Sequence, residues 1–344
     1  MPFDPSAAAL PGSGVFGLPH SEDEAAVVLV PVPFEATTSY GGGAAQGPDA
    51  ILGASRQVDL FDAETGRPYE AGIHLLEADP EIVRLNEEAR RTAQPVIDAG
   101  GTGDDPALLA AAARVNEASA ALNRRVEETV SRLLAKGKRV GLVGGDHSTS
   151  FGCIAAHAKA FPGMGVLHLD AHADLRHAFE GFTDSHASIL RNVADRLPGV
   201  AKIAQVGIRD VSEEEWDYAR ASGGRVEIHH DALLAAARLD GETWGAQVKR
   251  IVGALPSDVY LSFDIDGLDP ALCPHTGTPV PGGLSFQEAC ALVAGVVKSG
   301  RRIVGLDLVE VAPGPDDEWD GNVGARLLYK MIGWMLRSWE QRVA

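Results

Sequence analysis

From residue 139 onward the chain alternates short apolar runs with segments of helical periodicity, and this alternation limits the possible folds more than any other feature. The runs read as strands at 139–144, 165–170, 202–208, 225–229, 259–264 and 303–308. Helical patterns fall between and beyond them, at about 149–160, 186–196, 212–221, 231–254, 285–299 and 323–341. Continuously apolar strands separated by helices form a parallel sheet that is covered on both faces. Upstream, 25–34 reads as a strong strand and 73–76 as a short one, while 49–60, 79–97 and 106–136 read as helices. The expectation is an α/β fold with seven or eight strands. Residues 1–24, rich in Pro, Gly and Ala, read as an N-terminal arm, and 25–344 as a single domain without linker, repeat or low-complexity stretch.

Three strand ends carry residues that a turn alone does not require. Gly144-Gly145-Asp146-His147-Ser148 follows one run, and Asp170-Ala171-His172-Ala173-Asp174 follows the next. Asp264-Ile265-Asp266-Gly267-Leu268-Asp269-Pro270 follows a third. Ligands of open parallel sheets bind beyond the carboxyl ends of the strands, so these segments share one side of the sheet. Side chains two apart on extended backbone point the same way, which gathers Asp170, His172 and Asp174, and likewise Asp264 and Asp266. An aspartate after a strand is commonly a turn residue or helix cap. One D-x-D could be that; a D-x-H-x-D, a second D-x-D and a GGDH at three strand ends point to a metal site.

The candidate ligands are His147, Asp170, His172, Asp174, Asp264 and Asp266. Six protein ligands exceed what one catalytic ion with an open position needs, and they suit two ions that share bridging carboxylates. Oxygen-rich ligation with two imidazoles and no thiolate favours manganese, leaves nickel or cobalt open, and disfavours structural zinc. Four aspartates balance two divalent ions, and a water shared between the ions can ionise near neutral pH.

These segments resemble the three signatures of the ureohydrolases, the family of arginase, agmatinase and related guanidino-compound hydrolases. The matching stretches are GGDHS at 144–148, DAHADLR at 170–176 and SFDIDGLDP at 262–270, and the resemblance runs from about Val28 to Leu336. It implies a three-layer arginase-like fold, a parallel sheet of about eight strands, two manganese ions or, in some members, nickel, and homo-trimers or homo-hexamers. It also implies hydrolysis of a guanidinium to urea and an amine by attack of a metal-bridging hydroxide, with Asp266 and the metals stabilising the tetrahedral intermediate. His186, in Ser185-His186-Ala187-Ser188, matches the family's proton shuttle, a task that suits a group titrating near neutrality. Glu310 matches the glutamate that holds the substrate guanidinium, which a carboxylate can grip through two hydrogen bonds.

The substrate is less constrained. Arg176 and Ser212 stand where arginase carries an asparagine and an aspartate for the amino-acid head, which disfavours arginine. The pattern is closer to agmatinases, yet His275 replaces a glycine in their Pro-Gly-Thr-Gly-Thr-Pro segment, and Glu318-Trp319-Asp320-Gly321-Asn322 is atypical of them. If His275 and Trp319 narrow the pocket, guanidine, a small substituted guanidine or a guanidino acid becomes the alternative to an agmatine-like substrate. Other readings are a single-zinc deacetylase, which needs fewer ligands, and a non-catalytic paralogue, which usually loses ligands.

A net charge of −18 argues against nucleic acid and suits a cationic guanidino small molecule. Cys153, Cys273 and Cys290 are widely spaced and odd in number, which fits a reducing cytoplasm. No Lys or Arg precedes Arg56, so a signal peptide is not expected, and no apolar run is long enough to span a bilayer. Gly12-Ser13-Gly14-Val15-Phe16-Gly17 fits G-x-G-x-x-G but precedes a strand, so the dinucleotide context is missing.

Overall fold

The structure is a computed structural model that describes residues 3–10 and 12–340. Eight strands form one sheet: β1 Val27–Val32, β2 Ile73–Leu75, β3 Arg139–Gly144, β4 Met164–Leu169, β5 Val200–Ile208, β6 Val226–His230, β7 Asp258–Asp264 and β8 Arg302–Val309. Every pairing is parallel, in the order β2-β1-β3-β8-β7-β4-β5-β6. The helices are α1 Gly47–Ser55, α2 Pro80–Asp98, α3 Pro106–Ala135, α4 Ser150–Ala160, α5 Ile189–Arg196, α6 Glu213–Ala221, α7 Asp231–Leu239, α8 Trp244–Gly253, α9 Phe286–Lys298 and α10 Trp319–Glu340.

Alternation along each strand divides the core into two layers. Leu29, Val143, Leu167, Leu261 and Leu306 pack with residues of α1, α8, α9 and α10. Val28, Val140, Val166, Ile203 and Tyr260 pack on the other face with residues of α3, α4 and α5. The three-layer arrangement expected from the apolar runs is therefore present. Among the described residues, no helix is long and apolar enough to cross a membrane.

The structure corrects two helix expectations. The pattern at 231–254 is two helices, because Gly241 turns the chain with φ +98° and Thr243 caps α8 by accepting from the Ala246 amide. The last helix begins at Trp319 instead of residue 323, where the Asp317 carboxylate accepts from the Trp319 amide. In the N-terminal segment, Val15, Phe16 and Leu18 are buried on this same chain. The Phe16 ring lies 4.8 Å from that of Tyr329 in α10, and its amide donates to Ser55 at the end of α1.

The strand order decides where chemistry can occur. β3, β8, β7 and β4 are neighbours although two pairs of them, β3 with β8 and β7 with β4, are far apart in sequence, so the four segments that follow them meet at the middle of the sheet. Within α4, His157 is fully buried, donates Nδ1–H to the Cys153 carbonyl at 2.8 Å and presents its ring edge-on to Tyr260. Burial pushes its pKa from 6.5 down to about 4. The unfolded chain thus binds a proton at His157 that the folded chain refuses until near pH 4. Stability from this residue is complete above pH 6.5 and falls by about 3 kcal/mol as pH drops to 4. Denaturant midpoints of wild type and His157→Leu should therefore converge or cross between pH 7 and pH 4; a gap that does not change with pH would contradict this.

Candidate metal centre

The segment after β3 folds back at once: Asp146 caps a single helical turn at His147–Thr149, and α4 follows. This points His147 into the sheet's end. Its Nδ1 lies 3.1 Å from Asp170 Oδ2, 3.1 Å from Asp174 Oδ2 and 3.6 Å from Asp264 Oδ2. After β4, the His172 Nδ1 lies 3.4 Å from Asp170 Oδ1 and 3.1 Å from Asp266 Oδ2. The structure thus joins all six sequence-predicted ligands in two clusters with Asp170 common to both.

Backbone geometry fixes these carboxylates. Asp170 Oδ1 accepts from the His172 amide at 2.6 Å, Asp264 Oδ1 from the Asp266 amide at 2.9 Å, and Asp266 Oδ1 from the Ala171 amide at 2.9 Å. Asp174 and Glu310 adopt left-handed backbone conformations, with φ of +54° and +61°. That conformation costs a non-glycine residue on the order of 1–3 kcal/mol and persists where surrounding contacts impose it. At Glu310 the surrounding bonds are its own N–H to the Gly145 carbonyl and Thr276 Oγ1–H to its carbonyl at 2.8 Å; at Asp174 the Arg191 amide donates to its carbonyl at 3.1 Å.

Without a cation the charges are poorly balanced. Burial, and the charges of Asp266, Asp170 and Glu310, push Asp264 well above the usual carboxylate range. Burial and the Asp170 charge raise Asp174 to about 6, and burial and Asp146 raise Glu310 well above its ordinary value. Burial would also raise Asp170, but the imidazoles of His168, His147 and His172 hold it well below. Burial would lower His147, yet its bonds to Asp170 and Asp174 take it well above its usual value. His172 is likewise lifted to about 12, the Asp266 charge and the Asp170 bond outweighing burial. Carboxylates that resist ionisation and imidazoles that hold extra protons, converging in one buried place, form a donor set that fits divalent ions.

The residues around this centre form its mouth. His186 sits in a single helical turn before α5, with Nδ1 3.3 Å from Thr37 Oγ1 and its ring edge-on to Phe179. Burial and the charges of His172 and His147 push it down to about 4. Glu310 Oε1 accepts from the His147 amide at 2.8 Å. A β-carbon built at Gly277 would lie 3.9 Å from Glu310 Oε2, so glycine keeps the space beside this carboxylate open. The Arg176 guanidinium lies over the Phe179 ring, with Nε 3.7 Å from Glu215. Ser212 starts α6 in a capping box, its hydroxyl donating to Glu215 Oε2 and accepting from the Glu215 amide, which uses its one hydrogen and leaves one lone pair free.

His275 and the atypical 318–322 stretch prove to be one feature. Asp320, fully buried at the start of α10, accepts from the His275 amide at 3.1 Å and meets its Nδ1 at 2.8 Å. The Trp319 indole donates to the Ala271 carbonyl at 3.0 Å. These three contacts pin the loop that lays Thr276 and Gly277 against Glu310.

Several residues of the centre were not expected from the sequence: His168, Gln205, Ser262 and Asp307, all fully buried. His168 Nε2 lies 2.8 Å from Asp170 Oδ2. Their signal was a single polar residue inside an otherwise apolar strand.

The sequence model described as the Arginase family matches residues 25–333. The chain is 34% identical over 313 residues to the N(1)-aminopropylagmatine ureohydrolase of Thermus thermophilus, covering 90% of each chain. It is 32% identical over 318 residues to an agmatinase of Bacillus anthracis, covering 92% of this chain and 94% of that one. Its fold is similar to the crystal structure of agmatine ureohydrolase of Thermoplasma volcanium. The TM-score is 0.72 at 24% identity, over 96% of this chain and 97% of that one.

Two outcomes follow from the geometry. An ion entering the centre must displace protons from His147 and His172, both of which keep them above neutral pH, so manganese affinity should rise steeply from pH 6 to pH 9. Equilibrium dialysis with metal analysis reads this, and affinity independent of pH would refute it. If His275 and Asp320 act as a unit, His275→Gly and Asp320→Asn should each raise KM severalfold, and the double variant should be no worse than the poorer single one.

Proposed function

The chain belongs to the arginase family, and from that premise we propose that it hydrolyses an agmatine-type guanidino compound to urea and an amine. It is a hydrolase acting on the C–N bonds of amidino compounds. The observation that supports the finer reading is the pair of clusters sharing Asp170, with Glu310 at the neighbouring strand end. His147, Asp170, Asp174 and Asp264 would hold one divalent ion, and Asp170, His172 and Asp266 a second, manganese first and nickel as the alternative. Bound there, the ions would supply Lewis acidity and make water acidic enough to ionise near neutral pH.

The chain's own residues do the rest. Glu310 binds the planar guanidinium, its buried carboxylate being stabilised by the cation it receives. The loop at 273–279 flanks Glu310, with Thr276 bonded to its carbonyl and Gly277 beside Thr38 and Tyr40. Asp266, with one oxygen held by the Ala171 amide, keeps the other free to accept a proton from the water that adds to the guanidinium carbon, which stabilises the tetrahedral species. His186, neutral at pH 7, carries a proton at Nδ1 or Nε2 between the mouth and the departing nitrogen. Removing Asp266 or Glu310 should lower kcat/KM by at least 100-fold, since each acts where charge changes.

Arg176 favours a second reading. One side of its guanidinium faces Glu215, and the side chain is 43% exposed at the mouth. A fixed cation there suits a substrate whose tail ends in a carboxylate, such as a guanidino acid. Urea release from agmatine, N(1)-aminopropylagmatine, guanidine, 4-guanidinobutyrate and arginine, measured with manganese- and nickel-loaded protein, decides between the readings. The agmatine-type reading expects kcat/KM for one of the two amines at least tenfold above the other compounds, and Arg176→Ala to leave it unchanged or improve it. Preference for guanidinobutyrate, with a tenfold loss in Arg176→Ala, would replace it with the guanidino-acid reading.

A further inference from the structure

The four polar residues inside the strands stand in one rank. Gln205 of β5 is in register with His168 of β4, His168 with Ser262 of β7, and Ser262 with Asp307 of β8. All four are fully buried, and the rank crosses the sheet directly beneath the carboxylate clusters. Such residues are costly to bury, so the direction of each hydrogen bond carries information.

On one side the direction is set by a carbonyl. Gln205 Nε2 lies 2.6 Å from the Ala173 carbonyl oxygen, which only accepts, so this atom is the amide nitrogen. Its second hydrogen points to His168 Nδ1 at 3.0 Å. His168 Nδ1 is then an acceptor, and the ring proton sits on Nε2, which donates to Asp170 Oδ2 at 2.8 Å.

On the other side the direction is set by a carboxylate. Asp307 Oδ1 accepts from the Phe263 amide at 3.2 Å and from the Ser262 hydroxyl at 3.0 Å. That hydroxyl has one hydrogen, now used, so its lone pair accepts from His147 Nε2–H at 2.9 Å. His147 therefore turns Nδ1, the nitrogen free to take a cation, toward Asp170, Asp174 and Asp264.

We propose that this rank assigns opposite roles to two histidines 5.1 Å apart: Ser262 with Asp307 makes His147 an Nδ1 ligand, and Gln205 makes His168 a donor that orients Asp170 without ligating. The proposal rests on the reading that His147 and Asp170 hold an ion. Gln205, Ser262 and Asp307 are positioning residues, since each acts through His147 or His168. The donor role also separates His168 from His147, although both have a nitrogen near Asp170 and Asp174.

The test begins with the wild-type protein. Metal-free protein labelled with 15N-histidine, with His168 assigned through a His168→Gln variant, should show the His168 proton on Nε2 and an unprotonated Nδ1. A proton on Nδ1 alone would overturn the proposal whatever the variants do. Gln205→Met keeps the volume without the donor, and Ser262→Ala removes the acceptor. Each should weaken manganese binding at one of two sites about tenfold or more by equilibrium dialysis, with metal-free melting curves confirming the fold. Gln205→Met should also give mixed His168 tautomers. Unchanged manganese affinity in both folded variants would overturn the proposal. Failure of wild type to bind any ion, with the His168 proton on Nε2, would instead overturn the metal reading and leave the tautomer assignment standing.

Discussion

Seven carboxylates of this chain, Asp146, Asp170, Asp174, Asp264, Asp266, Asp307 and Glu310, lie buried around the ends of four adjacent strands. A buried charge costs several kcal/mol unless it is paired and hydrogen-bonded. The structure answers in three ways. Backbone amides and hydroxyls satisfy one oxygen of most of these carboxylates, and imidazoles lie against others. What remains is an excess of negative charge, which protons on the imidazoles and on the raised carboxylates, or bound cations, can offset. The strain at Asp174 and Glu310 belongs to the same constraint, because a relaxed backbone would swing either carboxylate away from the cluster.

The sheet order makes this convergence possible. A simple succession of neighbouring strands would keep the segments after β3, β4, β7 and β8 apart. Inserting β8 and β7 between β3 and β4 brings GGDHS, DAHAD, DIDGLD and Glu310 onto one short arc. Two of the three pairings between these strands, β3 with β8 and β7 with β4, join elements far apart in sequence, so the site exists only once the middle of the sheet has formed. The hydrophobic layers on both faces, not the acidic residues, must therefore supply the stability that holds the site together.

The strand positions could be read from sequence because continuous apolar runs have few alternatives, and β3 at 139–144 matches the expectation residue for residue. The ligands could be read because they recur with period two at strand ends. The split between α7 and α8 was hidden by apolar periodicity that continues across Gly241, where only the local turn decides. The link between His275 and Asp320 was hidden more deeply: 45 residues separate them, and each looked only like a local departure from a pattern. Ser212 carries a second signal that its place in the motif obscures: the glutamate three residues on marks it as a helix cap.

The rim and the floor of the centre are built on different principles, and that difference explains why reaction and substrate are not equally readable. The floor is parallel sheet in strict register, where a polar side chain on one strand meets its partner on the next. Bond directions there propagate from one rigid group to another, from the Ala173 carbonyl to Asp170 and from Asp307 to His147, so few substitutions leave the chemistry intact. The rim is loop backbone held at single points, at His275 by Asp320 and at Trp319 by the Ala271 carbonyl. Moving one such point re-aims several residues while the strand-end ligands stay in place. In a chain of this construction, rim residues such as Arg176, His275 and Asp320 can be exchanged while the strand-end ligands beneath them stay in place.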